Sequence, residues 1–226
     1  MAIHLKNLSF SYPEQPQQKV IDIEHWSLAQ GEQVFLQGPS GCGKSTLLSL
    51  IGGLLVADAG EINVLGTDLT ALSARERDAF RAQNIGFVFQ QFNLIPYLSA
   101  VDNVRLALSF ASQQKGNDPL FYINELFDQL AISQEDRHKA TRLLSVGQQQ
   151  RVAIVRALCN KPKLLIADEP TSALDQKNRD AFLSILKALT TEQKTSLLFV
   201  SHDLSLAKTF ERTEQLALIN QISGQN

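Results

Sequence analysis

Apolar positions shift along this chain from strict alternation to continuous runs to helical spacing, and each pattern predicts a different kind of element. Ile3-His4-Leu5-Lys6 and Leu8-Ser9-Phe10-Ser11-Tyr12 alternate, Val20 to Leu28 continues the alternation, and Glu61 to Leu65 adds a further segment. Alternation suits half-buried antiparallel strands. Gln33-Val34-Phe35-Leu36, Phe87-Val88-Phe89, Leu164 to Ala167 and Leu197 to Val200 are instead short apolar runs, the mark of strands covered on both faces. Thr46 to Ile51 opens an apolar helix. From Gln90 to Leu164 the chain turns helical. Asp118-Pro119 predicts a helix start, with Leu120, Ile123, Phe127 and Leu130 on one face, after an exposed polar loop over Ser112 to Asn117. Gln149 to Leu158 predicts another helix with a Val152, Val155, Cys159 stripe, for which Ser145 is the candidate N-cap.

Each continuous run ends in polar groups: Gln90, then Asp168 with Glu169, then Ser201 with His202. In open α/β sheets ligands bind beyond the carboxyl ends of the strands, so these groups are expected to converge. They converge on Gly38-Pro39-Ser40-Gly41-Cys42-Gly43-Lys44-Ser45, which fits the phosphate-loop pattern G-x-x-x-x-G-K-[ST] between a predicted strand and a predicted helix. Glycines let the backbone wrap phosphates closely, and the helix N-terminus favours anions. Lys44 is expected to reach the β and γ phosphates of a nucleoside triphosphate, and Ser45 to ligate Mg²⁺. Adjacent carboxylates at a buried strand end are costly unless chemistry uses them. Asp168 is therefore the expected Mg²⁺ partner, and Glu169 the general base that polarises water for attack on the γ-phosphate.

With 226 residues the chain can bury one substantial core or two lobes around a cleft, and a single ATPase domain spanning 1–226 is expected. Lys+Arg 21 against Asp+Glu 23 gives a net charge of -2, which argues against a broad nucleic-acid surface. Cys42 and Cys159 are far apart and lack metal spacing, as fits a reduced compartment, with Cys42 a small filler of the phosphate loop. No signal peptide precedes the first predicted strand and no apolar run approaches the ~20 residues of a membrane helix, so membrane association is expected through a partner.

The ordered motifs resemble the ATP-binding cassette (ABC) ATPase family. Gly38 to Thr46 matches its Walker A loop, Gln90 its Q-loop, Leu144-Ser145-Val146-Gly147-Gln148 its signature, Lys163 to Glu169 its Walker B strand, Ser172-Ala173-Leu174-Asp175 its D-loop, and His202 its switch histidine. The resemblance implies an α/β P-loop fold with a mixed or parallel core sheet, an N-terminal antiparallel β subdomain and a helical subdomain inserted at roughly 92–160. It implies an ATP-dependent homodimer in which Ser145, Gly147 and Gln148 face ATP held on the partner's Walker A loop, with Asp175 acting across the interface. It further implies that Tyr12 stacks on adenine, that Gln90 joins Ser45 and Asp168 at Mg²⁺ and supports catalysis, and that His202 touches the γ-phosphate.

Within the family, Ile85 to Pro96, Asp102-Asn103-Val104 and Asp168-Glu169-Pro170-Thr171 are similar to the LolD/MacB-type branch, which energises lipoprotein release and macrolide or peptide export. That branch works with an integral-membrane permease at the cytoplasmic face of the bacterial inner membrane. Phe92, Leu94, Ile95 and Pro96 are expected to help form a groove for a permease helix. Two neighbouring readings share the same ATPase residues: a mechanotransmission complex, and a soluble ABC ATPase of assembly or repair. Two positions depart from the family pattern. Val146 stands where the signature carries its first glycine, and His138 to Leu143 lacks the usual proline. A β-branched residue resists positive φ, so Val146 is extended or helical, or the signature loop is distorted.

Overall fold

The alternating N-terminal segments pair with one another and leave the continuous runs to a sheet of their own. In this computed structural model, which describes residues 1–111, 119–172 and 174–224, the expected 112–117 loop, Asp118 and Ala173 lie outside the described residues. In chain order come β1 (Ile3–Ser11), β2 (Lys19–Leu28), β3 (Gln33–Gln37), α1 (Lys44–Ile51), β4 (Ala59–Val64), β5 (Thr67–Asp68), α2 (Ala74–Asn84) and β6 (Ile85–Val88). The helical stretch follows as α3 (Ala100–Phe110), α4 (Pro119–Gln129), α5 (Gln134–Arg137) and α6 (Val146–Leu158). The chain then returns through β7 (Leu164–Asp168), α7 (Gln176–Glu192), β8 (Ser196–Val200), α8 (Leu204–Ala207), β9 (Arg212–Gln215) and α9 (Leu216–Ile219).

One sheet is antiparallel with strand order β2-β1-β4-β5, and the other has the order β6-β7-β8-β3-β9. Every pairing in the second sheet is parallel, so the mixed-or-parallel expectation resolves to a parallel core beside a separate antiparallel sheet. The two alternating N-terminal segments are one strand. Ile3 and Leu5 point inward, then Leu8 and Phe10 do, a slip of one residue at Asn7, whose φ is 49°. That slip is a bulge, and pairing with β4 shifts between Lys6 and Ser9. Gly60 backs onto it: a Cβ there would sit 2.3 Å from the Asn7 carbonyl oxygen.

The parallel strands read as unbroken apolar runs because each of their faces has its own core. Phe35, Leu165, Leu197 and Phe199 pack against the helical lobe and α7. Val34, Leu36, Leu164, Ile166, Leu198 and Val200 pack against α1 and the antiparallel sheet. Burying each such side chain contributes about 1.5–3 kcal/mol, which fixes the register and aligns the carboxyl ends of β3, β6, β7 and β8. β9 escapes detection in the sequence because Arg212-Thr213-Glu214-Gln215 is polar and sits at the sheet edge against β3 alone. Its Arg212 guanidinium donates to the Ser27 carbonyl at 3.0 Å and to Glu32 Oε1 at 3.0 Å.

Candidate active site

The phosphate loop runs from the end of β3 into α1. Gly43, at φ 97°, is the N-cap of that helix and supplies no side-chain bond, so the first N–H groups of α1 face the loop uncapped. A Cβ on Gly43 would come within 3.0 Å of Ile21 Cδ1 and 3.1 Å of the Val20 carbonyl oxygen, so both the turn and β2 require glycine. Gly38 is crowded in the same way, because a Cβ there would meet Cys42 Sγ at 2.5 Å. Cys42 packs half-buried against the core beneath the antiparallel sheet, as a filler does. Lys44 is buried and curls back, donating from Nζ to the Gly38 carbonyl at 2.7 Å and the Pro39 carbonyl at 2.9 Å.

The strand-end polar groups meet this loop. Ser45 Oγ donates to Asp168 Oδ2 at 3.0 Å, joining α1, which follows β3, to β7 past the intervening β8. Burial pushes the Asp168 carboxyl above the ordinary aspartate range; the Ser45 hydroxyl pulls it back, Glu169 adds to the rise and Lys44 opposes it. Glu169 follows at φ 45°, a left-handed backbone for a non-glycine residue, with its N–H donated to the Val200 carbonyl at 2.9 Å. Such strain persists where surrounding structure over-determines it, commonly at functional sites. Its carboxylate lies 3.6 Å from Lys44 Nζ through Oε1 and 2.8 Å from His202 Nδ1 through Oε2. Glu169 is 15% exposed and His202 62%, so the pair runs from the protein interior to solvent. A part-buried carboxylate between a cation and an exposed imidazole can orient a water molecule and pass a proton outward.

Tyr12 stands just past β1, partly exposed, its hydroxyl 2.9 Å from Thr46 Oγ1 and its ring edge-to-face with Phe10. This leaves an aromatic surface at the rim of the loop. Gln90 lies exposed in the turn after β6, on the strand neighbouring β7. Asp175 caps α7 by accepting from Asn178 N at 3.0 Å.

The signature residues are not part of the cluster: none of their described hydrogen bonds reaches the phosphate loop. Ser145 caps α6, its hydroxyl accepting from Gln148 N at 3.3 Å, while Ser145 N donates to Gln148 Oε1 at 2.9 Å. This reciprocal box starts α6 at Val146, three residues ahead of the expected Gln149. Val146 is thus helical, and its side chain is half exposed. Gly147 has open space where a Cβ would stand.

A cavity of about 570 Å³ opens between β6, α2, α3 and α6, walled by Leu54, Phe87, Phe89, Ile95, Leu106 and Phe110. Of the four residues expected to form a groove, Ile95 lines it. Phe92 is buried, Leu94 packs on the helical-lobe core, and Pro96 is exposed. Phe92 and Asn93 both take left-handed backbones, φ 56° and 49°. The Arg156 guanidinium holds them, donating to their carbonyl oxygens at 2.7 and 2.5 Å. Burial lowers the Arg156 pKa from its ordinary value. Asn103, also buried, straps the following turn by accepting from Ile95 N at 2.7 Å and donating to the Ile95 and Ser99 carbonyls. Sequence reading missed Arg156, and it missed Asp136, whose carboxylate accepts from Gln148 Nε2 at 2.8 Å. Ser133-x-x-Asp136 carries the pattern of a helix cap and could have marked that turn.

Residues 22–172 match the family model described as ABC transporter. The lipoprotein-releasing system ATP-binding protein LolD 1 of Rhodopirellula baltica is 40% identical over 220 residues, covering 96% of this chain and 93% of that one. LolD of Bacteroides fragilis is 36% identical, over 93% and 95% of the two chains. Among solved structures, the dimeric ATP-binding cassette MJ0796 in a post-hydrolysis state with ADP and Pi superposes with a TM-score of 0.84 at 35% identity, over 94% of this chain and 93% of that one. A phosphate loop backed by Asp168 and Glu169 on a parallel sheet, matched over nearly the whole chain by such relatives, makes this protein a member of the ABC transporter family, an ATP-binding, ATP-hydrolysing subunit.

Proposed function

We propose that this subunit powers lipoprotein release or a related export step. It would act as an ATP-dependent homodimer bound to an integral-membrane permease at the cytoplasmic face of a bacterial inner membrane. The observation that carries the catalytic part is Glu169, held between Lys44 and the exposed His202 at the end of a buried strand. Glu169 orients the attacking water and accepts its proton, and His202 steers the γ-phosphate end. Lys44 leaves the Gly38 and Pro39 carbonyls for the β and γ phosphates, which the uncapped start of α1 also attracts. Tyr12 provides the face on which adenine stacks.

Ser45 Oγ and Asp168 Oδ2, 3.0 Å apart, are hard oxygen donors. Two such donors, with the Gln90 side chain as a third, leave positions for phosphate oxygens and water, which fits Mg²⁺ better than an all-protein cage. When bound, Mg²⁺ supplies charge neutralisation to the phosphates. Ser145, Gly147, Gln148 and Asp175 belong to the site completed by a second copy. The open space at Gly147 and the dimeric ADP-bound relative support that arrangement. A permease helix occupies the 570 Å³ cavity, whose apolar wall and exposed Phe110 suit it. Among the described residues no helix is long and apolar enough to cross a membrane, in keeping with attachment through such a partner.

The test is co-expression with a candidate integral-membrane permease of the lipoprotein-release or export type. Phosphate release should require Mg²⁺, rise in the complex, and lose that rise in Phe110→Asp while the basal rate stays. Equal stimulation of Phe110→Asp, or none of the parent, would remove the cavity from the coupling role.

A further inference from the structure

Asp136 lies outside every motif that carried the functional reading, yet it holds the signature in place. Its Oδ2 accepts from Gln148 Nε2 at 2.8 Å and from Ser133 Oγ at 2.8 Å, and its Oδ1 accepts from Lys139 Nζ at 3.0 Å. The Lys139 and Ser133 hydrogen bonds hold this carboxyl below the ordinary aspartate range. The turn that carries it does not move freely. The neighbouring Arg137 is fully buried, donates to the Ile132 carbonyl at 3.0 Å, pairs with Asp128, and lies over the Phe127 ring at 5.2 Å. Asp136 is thereby anchored through α5 to the base of α4.

The contact matters because of what Gln148 does with its other end. Gln148 Oε1 accepts from Ser145 N, so the Gln148 rotamer holds the Ser145 backbone, while the Gln148 backbone N–H, donated to Ser145 Oγ, holds the hydroxyl. A glutamine at the third helical position has several rotamers open to it, and a hydrogen bond to a fixed carboxylate selects one. We propose that Asp136 is a positioning residue for ATP hydrolysis: through Gln148 it preorganises the Ser145 cap that meets the nucleotide of the second copy. This rests on the proposed dimer. Preorganised donors act on developing charge without reorganisation at the moment of reaction, which is why a residue that touches no nucleotide can still govern rate.

The experiment uses the full chain and five variants: Asp136→Ala, Gln148→Glu, the double variant Asp136→Asn/Gln148→Glu, and Glu169→Gln with and without Asp136→Ala. In Asp136→Ala the affinity of the monomer for ATP should stay within twofold, because the phosphate loop makes no described contact with Asp136. Turnover should fall about tenfold, the cost of one hydrogen bond to a charged group. Gln148→Glu sets two carboxylates against each other and should fall at least as far. The double variant exchanges donor and acceptor, since the asparagine amide can donate to the new carboxylate, and should recover most of the turnover. A residue that merely stabilises the fold would instead lower the melting temperature and the ATP affinity of the monomer along with turnover. In the Glu169→Gln background, Asp136→Ala should raise the ATP concentration needed for dimerisation about tenfold by sedimentation. Dimerisation of Glu169→Gln that is indifferent to Asp136→Ala, or a double variant no better than Gln148→Glu alone, overturns the positioning role. Failure of Glu169→Gln to dimerise at all overturns the dimer itself.

Discussion

The strand-end cluster and the signature cluster are built on opposite plans. At the strand ends, Ser45, Asp168, Glu169, Lys44 and His202 come from three separated stretches of sequence and bond to one another, so the site is assembled by the sheet. At the signature, Ser145 and Gln148 bond within one turn and lean on Asp136, and none of their described hydrogen bonds reaches the phosphate loop. The first cluster is complete as an electrostatic unit: its cation, carboxylates and hydroxyl satisfy one another. The second presents a helix N-terminus, a hydroxyl and an unobstructed glycine, while the Asp136 carboxylate beside it is taken up by the Gln148 amide. One chain thus holds a nucleotide seat and a separate lid, which in the proposed dimer serve different nucleotides.

Substitutions should therefore divide into those that alter the seat and those that alter the lid. The largest effect is expected for Glu169→Gln, whose turnover should drop by about 10²–10⁴, the range for losing a general base. Its ATP binding should persist, and sedimentation with ATP and Mg²⁺ should show a dimer that the nucleotide-free protein lacks. Near-normal phosphate release would take Glu169 out of the base role. Lys44→Ala comes next: losing charge-assisted bonds worth about 1.5–3 kcal/mol should weaken ATP binding by the monomer roughly 10- to 150-fold, read by calorimetry.

Ser145→Asp separates cap from catalysis. Aspartate caps a helix as well as serine, so the melting temperature should hold within about 2 °C, while a carboxylate replaces the hydroxyl donor and turnover should fall about tenfold. Unchanged turnover would mean that Ser145 is only a cap. The smallest effect belongs to Val146→Gly. Val146 opens α6 with a half-exposed side chain, so glycine should cost at most about 1 kcal/mol of helix stability, leave monomer affinity unchanged, and shift turnover less than about threefold. A large change in affinity would tie Val146 to the nucleotide seat.

The seat was legible because parallel strands covered on both faces leave an unmistakable apolar run, and the residue after the run is where chemistry sits. Asp168, Glu169 and His202 were found that way. Alternation located the N-terminal strands but could not tell that they were one: the bulge at Asn7 depends on Gly60 of another strand, a contact that local pattern does not encode. Helices α2 and α7 went unread, and α3 was left without bounds inside the stretch read as helical, although Ser73-x-x-Glu76, Asp175-x-x-Asn178 and Ser99-x-x-Asp102 each carry cap chemistry at their starts. Asp136 and Arg156 were out of reach for a different reason. Their roles lie in what they hold, a side chain in one case and two backbone carbonyls in the other, and such partners appear only when the helical lobe is folded.

The α6 helix has a length it cannot change. Its 13 residues, rising about 1.5 Å each, put roughly 20 Å between its two ends. Ser145 fixes the first end and Arg156, gripping the Phe92 and Asn93 carbonyls, fixes the far one. Inserting or deleting one residue between them turns the far end by about 100° and swings the guanidinium off the loop, even though both clusters keep every side chain they had. Point substitutions on the solvent side of α6 are tolerable to this design, but a change in its residue count is not. The helix works as a gauge block between the cavity wall and the lid, and its register is as much a functional residue as any side chain on it.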